Sequence, residues 1–318
     1  MRLLILSDAN ETESAGLIRA TLAHARTRPG VEVCGIVTTR LEAFRPGWGA
    51  VARRAARRAL IVGTTRRMPY AAGEPFGHEV RRAAARHGVP FIVPPGGDLH
   101  DPAFVEHVAR DLRPDGALSY YCFHVLRRPL LDALGPVVNF HDGRLPAYRG
   151  LNATSFSLYA GESETGFSFH RIDEGLDTGA LLVEGSVVVD PAASLAQIVG
   201  RKTRAALAVL PRVLEMLASD APGDAQIGEG GYFSGAQGRA VRRVERPQEL
   251  TAHELYRRVW AFGQIEIAID GALMPVTRLS RSAPGRSMAF RTADGAVLAP
   301  DRLVGLPCAL QRRRALEP

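Results

Sequence analysis

Lysine is almost missing from this chain. Of its 40 basic residues only Lys202 is a lysine, so nearly all the positive charge is arginine. Against 33 acidic residues this leaves a formal net charge of +7, which suits an RNA, nucleotide or phosphorylated partner without demanding one. Cysteine is scarce as well. Cys34, Cys122 and Cys308 are far apart, odd in number and without CxxC spacing. That argues for a reducing compartment and against a disulfide frame or a zinc site, so no metal is expected. No apolar run nears the roughly 18 residues that a bilayer crossing needs, so no membrane partner is expected. The opening Met1-Arg-Leu-Leu-Ile-Leu-Ser-Asp8 turns polar after four aliphatics, too few for a secretory leader. The expected location is cytoplasmic.

What is present reads as a soluble globular chain. Its 46 % apolar and 23 % charged residues exclude a disordered tail, a collagen and a coiled-coil rod. A length of 318 residues suggests about two domains. Residues 2–7 form a short continuous aliphatic run of the buried parallel-strand kind. Helical spacing follows over 16–25 and a second strand over 31–37, the opening of a doubly wound α/β sheet. The turn at 8–16 is acidic and holds neither GxGxxG nor GxxxxGK[ST], so no phosphate cradle is expected there. Within residues 40–69, Arg45, Arg53, Arg54, Arg57, Arg58, Arg66 and Arg67 alternate with alanines and aliphatics. A basic amphipathic helix over 50–62 is expected, either a solvated face or a guide for an anionic acceptor.

Further along, the patterns predict helices at 79–87 and 101–112 and strands at 90–94, 116–121, 136–141, 165–171 and 180–189. A long helix over 194–217 carries Pro211, which is expected to kink it. The stretch 219–231 crowds Gly, Pro and Asp and reads as a linker. Beyond it lie a helix at 252–262 and short strands separated by Asp270-Gly271 and Asp294-Gly295, which are hairpin chemistry. The expected organisation is a domain over 1–220, a linker over 221–231 and a small β-rich domain over 232–318.

Asn139 and His141 are two apart on a predicted strand, so their side chains leave one face while Val138 and Phe140 point the other way. Polar groups at the carboxyl end of such a strand sit where α/β sheets bind ligands. The acidic loop Asp173-Glu-Gly-Leu-Asp-Thr-Gly179 can fold back and deliver a carboxylate to the imidazole. An amide, an imidazole and a carboxylate together suit acyl transfer to an amine. The amide steadies a developing oxyanion, the imidazole handles protons, and the carboxylate orients the ring. Spacing alone does not separate this reading from an ordinary strand and turn.

The wider string adds to it. Asn139-Phe-His141, Leu145-Pro-Ala-Tyr-Arg-Gly150, Gly161-Glu-Ser-Glu-Thr-Gly166 and Asp173-Glu-Gly-Leu-Asp-Thr-Gly179 resemble the 10-formyltetrahydrofolate-dependent formyltransferases. That family includes methionyl-tRNA formyltransferase, glycinamide ribonucleotide transformylase and the sugar-nucleotide N-formyltransferases. The resemblance spans residues 1 to about 218. Glu254-Leu-Tyr-Arg-Arg-Val-Trp-Ala-Phe262 and Asp294-Gly-Ala-Val-Leu298 extend it, more loosely, into the C-terminal part. It implies a Rossmann-like, mostly parallel sheet followed by a small β-rich, OB-like domain.

The resemblance also implies roles. Asn139 would hold the formyl oxygen, His141 would assist its polarisation, and Asp177 would pair with His141 and draw the proton from the attacking amine. Phe123, His124, Val125 and Leu126, with Ile172, Asp173, Glu174, Gly175 and Leu176, would bind the pterin of the 10-formyltetrahydrofolate donor. Arg144, Asn152 and His170 are the expected acceptor-side residues. Gly143 stands where the family commonly has a serine, and Arg144 follows in place of an aliphatic residue, putting a cation at the mouth of the site. The acceptor implied first is a small-molecule amine, anionic in the case of a sugar nucleotide. A charged initiator tRNA is the alternative, and a non-catalytic folate- or RNA-binding module is the reading from another class; a homodimer is the partner assembly left open for the chain.

Overall fold

The computed structural model describes residues 1–8, 12–39, 78–285 and 288–303. The arginine-rich segment with its expected helix at 50–62, and Cys308, lie outside these residues. The aliphatic opening forms β1 (Arg2–Leu6), in which Leu3, Leu4, Ile5 and Leu6 are fully buried. A strand apolar on both faces has to be covered on both, at roughly 1.5–3 kcal/mol for each large aliphatic side chain buried. Leu3 and Ile5 pack on one side with α1 (Thr12–Thr27) and α6 (Leu195–Ala218). Leu4 and Leu6 pack on the other with α3 (Pro102–His107) and α4 (Leu130–Leu134).

Around β1 run β2 (Glu32–Val37), β3 (Phe91–Ile92), β4 (Gly116–Tyr120), β5 (Val137–His141), β7 (Glu164–Arg171) and β8 (Leu181–Val188). Helix α2 (His78–His87) lies between β2 and β3 in the chain and stops at Gly88, whose φ is +67°. The sheet order is β3-β2-β1-β4-β5-β7-β8. Every pairing from β3 to β5 is parallel, and β7 and β8 are antiparallel additions. The mostly parallel, doubly wound sheet expected from the sequence is therefore present. Strand order reverses at β1 and β4, the place where such sheets form a ligand crevice at their carboxyl ends.

Helix α6 runs unbroken through Pro211. Pro211 lies on the exposed side, where the hydrogen bond it removes from the helix can be replaced by water. Helix α5 (Ala153–Ala160) follows the two-residue strand β6 (Arg149–Gly150). Strand β6 pairs in parallel with β9 (Tyr232–Phe233).

After helix α7 (Gly235–Arg242), a second sheet has the order β10-β11-β12-β14-β13. Its strands are β10 (Arg243–Val244), β11 (Ile265–Ile269), β12 (Ala272–Arg281), β13 (Phe290–Arg291) and β14 (Val297–Leu303). Asp270 (φ +50°) and Gly271 (φ +77°) turn β11 into β12, the conformation a tight two-residue hairpin requires. Helix α8 (Ala252–Phe262) supplies Leu255 and Val259 to this sheet's core with Ile267, Val276 and Leu298. A further cluster joins the two sheets. Phe156 of α5 stacks on Phe233 at 4.3 Å and meets Phe262 edge-on at 5.4 Å.

Candidate active site

Strand β5 sends Val138 and Phe140 into the core, where both are buried, and leaves Asn139 and His141 on the opposite face. Antiparallel pairing sets His170 of β7 directly across from Asn139. The His170 ring is fixed at both nitrogens. Nδ1 donates to the Arg171 carbonyl at 2.8 Å, so in the neutral ring Nε2 accepts from Asn139 Nδ2 at 3.0 Å. The His141 ring is fixed likewise: Nε2 donates to the Tyr148 carbonyl at 2.6 Å. Its Nδ1 therefore carries the lone pair, and it faces Asp177 Oδ2 at 3.5 Å. Asp177 Oδ1 lies 3.5 Å from His170 Nε2. One carboxylate thus addresses both imidazoles.

Asp177 reaches that position in a left-handed conformation, φ +54°, which costs an L residue about 1–2 kcal/mol. Three contacts hold it there. Gly150 N–H donates to Oδ2 at 2.8 Å. Gln226 Nε2 donates to the Asp177 and Gly179 carbonyls, both at 2.8 Å. Gln226 Oε1 accepts from Arg149 Nη2 at 2.7 Å and from Nε at 3.2 Å. The loop also closes tightly on β7, since a Cβ at Gly179 would stand 1.9 Å from the Arg171 carbonyl oxygen. Only glycine fits there.

Sequence reasoning missed Gln226. It lies in the Gly/Pro/Asp-rich stretch read as linker, which also bridges to β8 through Leu181 and Asp224. No periodicity marks a single amide in such a stretch. Arg149 was legible as part of a motif, but not its grip on Gln226.

Charge and burial tune the trio. Burial drives the His141 imidazole below the ordinary histidine range, with the Asp177 carboxylate pulling the other way. For Asp177, burial works upward but is outweighed by the His170 and His141 rings, which favour the ionised carboxylate whenever either is protonated, and by the Gly150 N–H. Its carboxyl is held at about 2. The resting site is therefore an ionised carboxylate beside a neutral, acceptor-bearing imidazole. That pair can take a proton and hand it on.

A cavity of about 1700 Å³ opens over these residues, more than the roughly 300–1,000 Å³ of a single small-molecule site. Phe123, His124, Val125, Leu126, Ile172, Asp173, Gly175 and Leu176 all line it, together with Asn139, His141, Asn152, His170 and Asp177. Phe123, Val125 and Leu176 are exposed there, while Leu126 packs into the core. Several main-chain groups in these loops are engaged by the fold: Phe123 N–H by Asp8, Ile172 N–H by Val137, Gly175 N–H by Asp173, and the Val125 carbonyl by His100. Glu174 stands 3.3 Å from Arg128 on the surface, tying the two loops together. Burial pushes the Cys122 thiol up to about 12, which leaves it unreactive.

Arg144 departs from expectation. It is exposed and does not line the cavity. Gly143 turns inward instead, so close that a Cβ would stand 2.7 Å from His141 Nε2, and the next side chain is left facing away. The far wall of the cavity comes from the first turn of α6, from α8 and the turn after it, and from β12, with Tyr256, Trp260, Gln264 and Arg278 among its residues.

Residues 96–214 match the family model described as formyl transferase. Over 97 residues the chain is 41 % identical to GDP-perosamine N-formyltransferase of Brucella melitensis, a match covering 30 % of this chain and 38 % of that protein. The match thus spans less than half the length of that curated relative. A sugar N-formyltransferase from Shewanella shares the fold, with a TM-score of 0.60 and 14 % identity over 96 % of this chain and 98 % of its own. So does the N-formyltransferase of Helicobacter canadensis, solved with folinic acid and dTDP-3-aminofucose. Its TM-score is 0.59, with 13 % identity over 94 % of this chain and 98 % of that one.

Proposed function

We propose that this chain, whose residues 96–214 match the formyl transferase family model, moves a formyl group from 10-formyltetrahydrofolate to the primary amine of an amino sugar carried on a nucleotide. The observation that carries the reading is the meeting of Asn139, His141 and Asp177 on one cavity wall, with the Asp177 carboxylate 3.5 Å from His141 Nδ1. The Brucella relative and the Helicobacter complex support the sugar-nucleotide acceptor.

The donor would supply a formyl group on N10, the nitrogen that joins its flat pterin to the aminobenzoyl group. The residues present suit it, because exposed Phe123, Val125 and Leu176 offer apolar walls in line with the trio. Asn139 has two amide protons, one of them directed to His170. The second is the group for an oxygen that gains negative charge. Asp177, ionised and facing the cavity, accepts a proton from the amine as its nitrogen attacks the formyl carbon. His141 Nδ1, beside it, relays that proton to the departing nitrogen. The Nε2–Tyr148 bond fixes Nδ1 as the working atom.

The cavity holds more than one small ligand, which fits a folate and a sugar nucleotide side by side. In this reading residues 1–220 carry the chemistry, while 232–318 close the acceptor end. The free thiols of Cys34 and Cys122 fit a reducing compartment, the cytoplasm. The test is formyl transfer from 10-formyltetrahydrofolate to a panel of amino-sugar nucleotides, with charged initiator tRNA as the contrasting acceptor. Turnover on a sugar nucleotide with shallow salt dependence is expected. Turnover only on tRNA, falling steeply with salt, replaces the acceptor. Folate binding with no turnover on any amine leaves a binding module.

A further inference from the structure

We propose that Lys202 is a positioning residue for His141: it locks the strand end that carries the imidazole and neutralises the Asp142 carboxylate beside it. The inference rests on the reading of His141 as the working base. Its starting point is a composition anomaly. At every other basic position outside the histidines this chain uses arginine, and the single lysine is 1 % exposed. Lys202 sits on the inward stripe of α6, between the buried residues Ile198 and Ala206. A charge placed in such a stripe is destabilising unless it is fully paired.

It is fully paired. The ammonium stands 2.6 Å from Asp142 Oδ1 and donates to the Asp142 carbonyl at 3.0 Å and to Thr154 Oγ1 at 2.6 Å. Two N–H donors meet the Asp142 carbonyl and Thr154 Oγ1, and the ion pair to Asp142 Oδ1 completes the set around one point. Thr154 Oγ1 in turn donates a hydrogen bond to Asp142 Oδ2 at 2.7 Å, which closes the ring. A planar guanidinium has neither the size nor the directions to fill that point. The mismatch explains why lysine is needed here in an arginine-built chain.

The lock bears directly on the imidazole. Asp142 follows His141 in the chain, and Gly143 packs against the ring, its carbonyl held by Ser168 Oγ at 3.0 Å. A shift at Asp142 therefore displaces the His141–Tyr148 bond. The lock also sets charge. The groups facing His141 are Asp177 from the loop after β7, His170 from β7, the Tyr148 carbonyl, and Asp142 on its own strand end. Asp142 favours the protonated ring, and the ammonium 2.6 Å from its Oδ1 opposes that influence. Burial pulls the ammonium down from the ordinary lysine range, and Asp142 opposes it.

The experiment compares full-length wild type, Lys202→Met, Asp142→Asn and the double variant. Ring-proton NMR titrates His141, thermal melting checks folding, and kcat and KM are measured on the formyl-transfer reaction. Lys202→Met is expected to raise the His141 midpoint by about one pH unit. It should lower kcat at neutral pH about tenfold and leave both KM values within about twofold. The double variant should return the midpoint toward wild type, and Lys202→Arg should not rescue. A folded Lys202→Met with an unmoved midpoint overturns the proposal, as does a double variant indistinguishable from the single one. If Lys202→Met does not fold, Asp142→Asn decides: a lowered midpoint supports the charge coupling, and an unmoved one overturns it. The titration needs no substrate. A wild type that moves no formyl group, yet shows these midpoint shifts, defeats the functional reading and leaves the coupling intact.

Discussion

The two walls of the cavity are built differently. On the strand wall, His141 and His170 are 6 % and 2 % exposed, and each residue of the trio is held by a fixed neighbour. On the far wall, Arg278 has a 77 % exposed side chain, and its ion-pair partner Asp301 stands 3.6 Å away. Under the proposed function the contrast is a division of labour. Groups that move protons must be held in advance, because reorganisation during reaction costs rate. Groups that grip the non-reacting end of a substrate can stay solvated and adapt to it.

That contrast can be broken or sharpened experimentally. The largest expected effect is on the strand wall. Asn139→Ala or Asp177→Ala should cut kcat by about 10²–10⁴-fold, measured by steady-state formyl transfer, while folate binding persists. If both variants keep wild-type kcat, the strand wall is not the reacting wall.

Next comes the clamp. Gln226→Ala removes both donors that hold the left-handed Asp177 backbone and the acceptor for Arg149. The expected loss is about 10-fold to 100-fold in kcat, since displacing a reacting group by about 1 Å costs that order of rate. Gln226→Glu, which keeps the Arg149 contact but loses the donors, should recover little.

On the far wall, Arg278→Ala should raise the acceptor KM by about 3- to 10-fold and leave kcat and the donor KM unchanged, as expected for an exposed charge at a rim. A kcat effect there would erase the distinction between the walls.

The smallest effect is a stability difference with pH. The folded carboxyl of Asp177 is held at about 2, below its ordinary 3.8. Its stabilisation is thus present above about pH 4 and lost as the pH falls through the folded value. Thermal melts of wild type should drop more steeply than those of Asp177→Asn between about pH 4 and pH 2. Parallel curves would mean the carboxylate is not held as described.

Much of this was readable along the chain. The aliphatic run of β1, the alternation that separates Val138 and Phe140 from Asn139 and His141, and the glycines that let the 173–179 loop return are local patterns. The seven-strand sheet and the side chains that face the cavity follow from such patterns. His170 was legible as a residue on the strand before the acidic loop, but its bond to Asn139 depends on the register between β5 and β7. Arg144 was legible only as the residue after Gly143; that it stays exposed and outside the cavity lining depends on how this loop packs. Gln226 and Lys202 carried no periodic or motif signal toward the site. One sits in a loop, the other in an apolar stripe.

By itself the sequence determined which residues could do acyl chemistry and on which face of a strand two of them stand, because side-chain alternation is a property of the extended backbone. The tertiary structure alone decided which nitrogen of each histidine works, how Asp177 is held, and where the lone lysine delivers its charge. Those depend on hydrogen bonds between segments distant in the chain, and no local pattern encodes them.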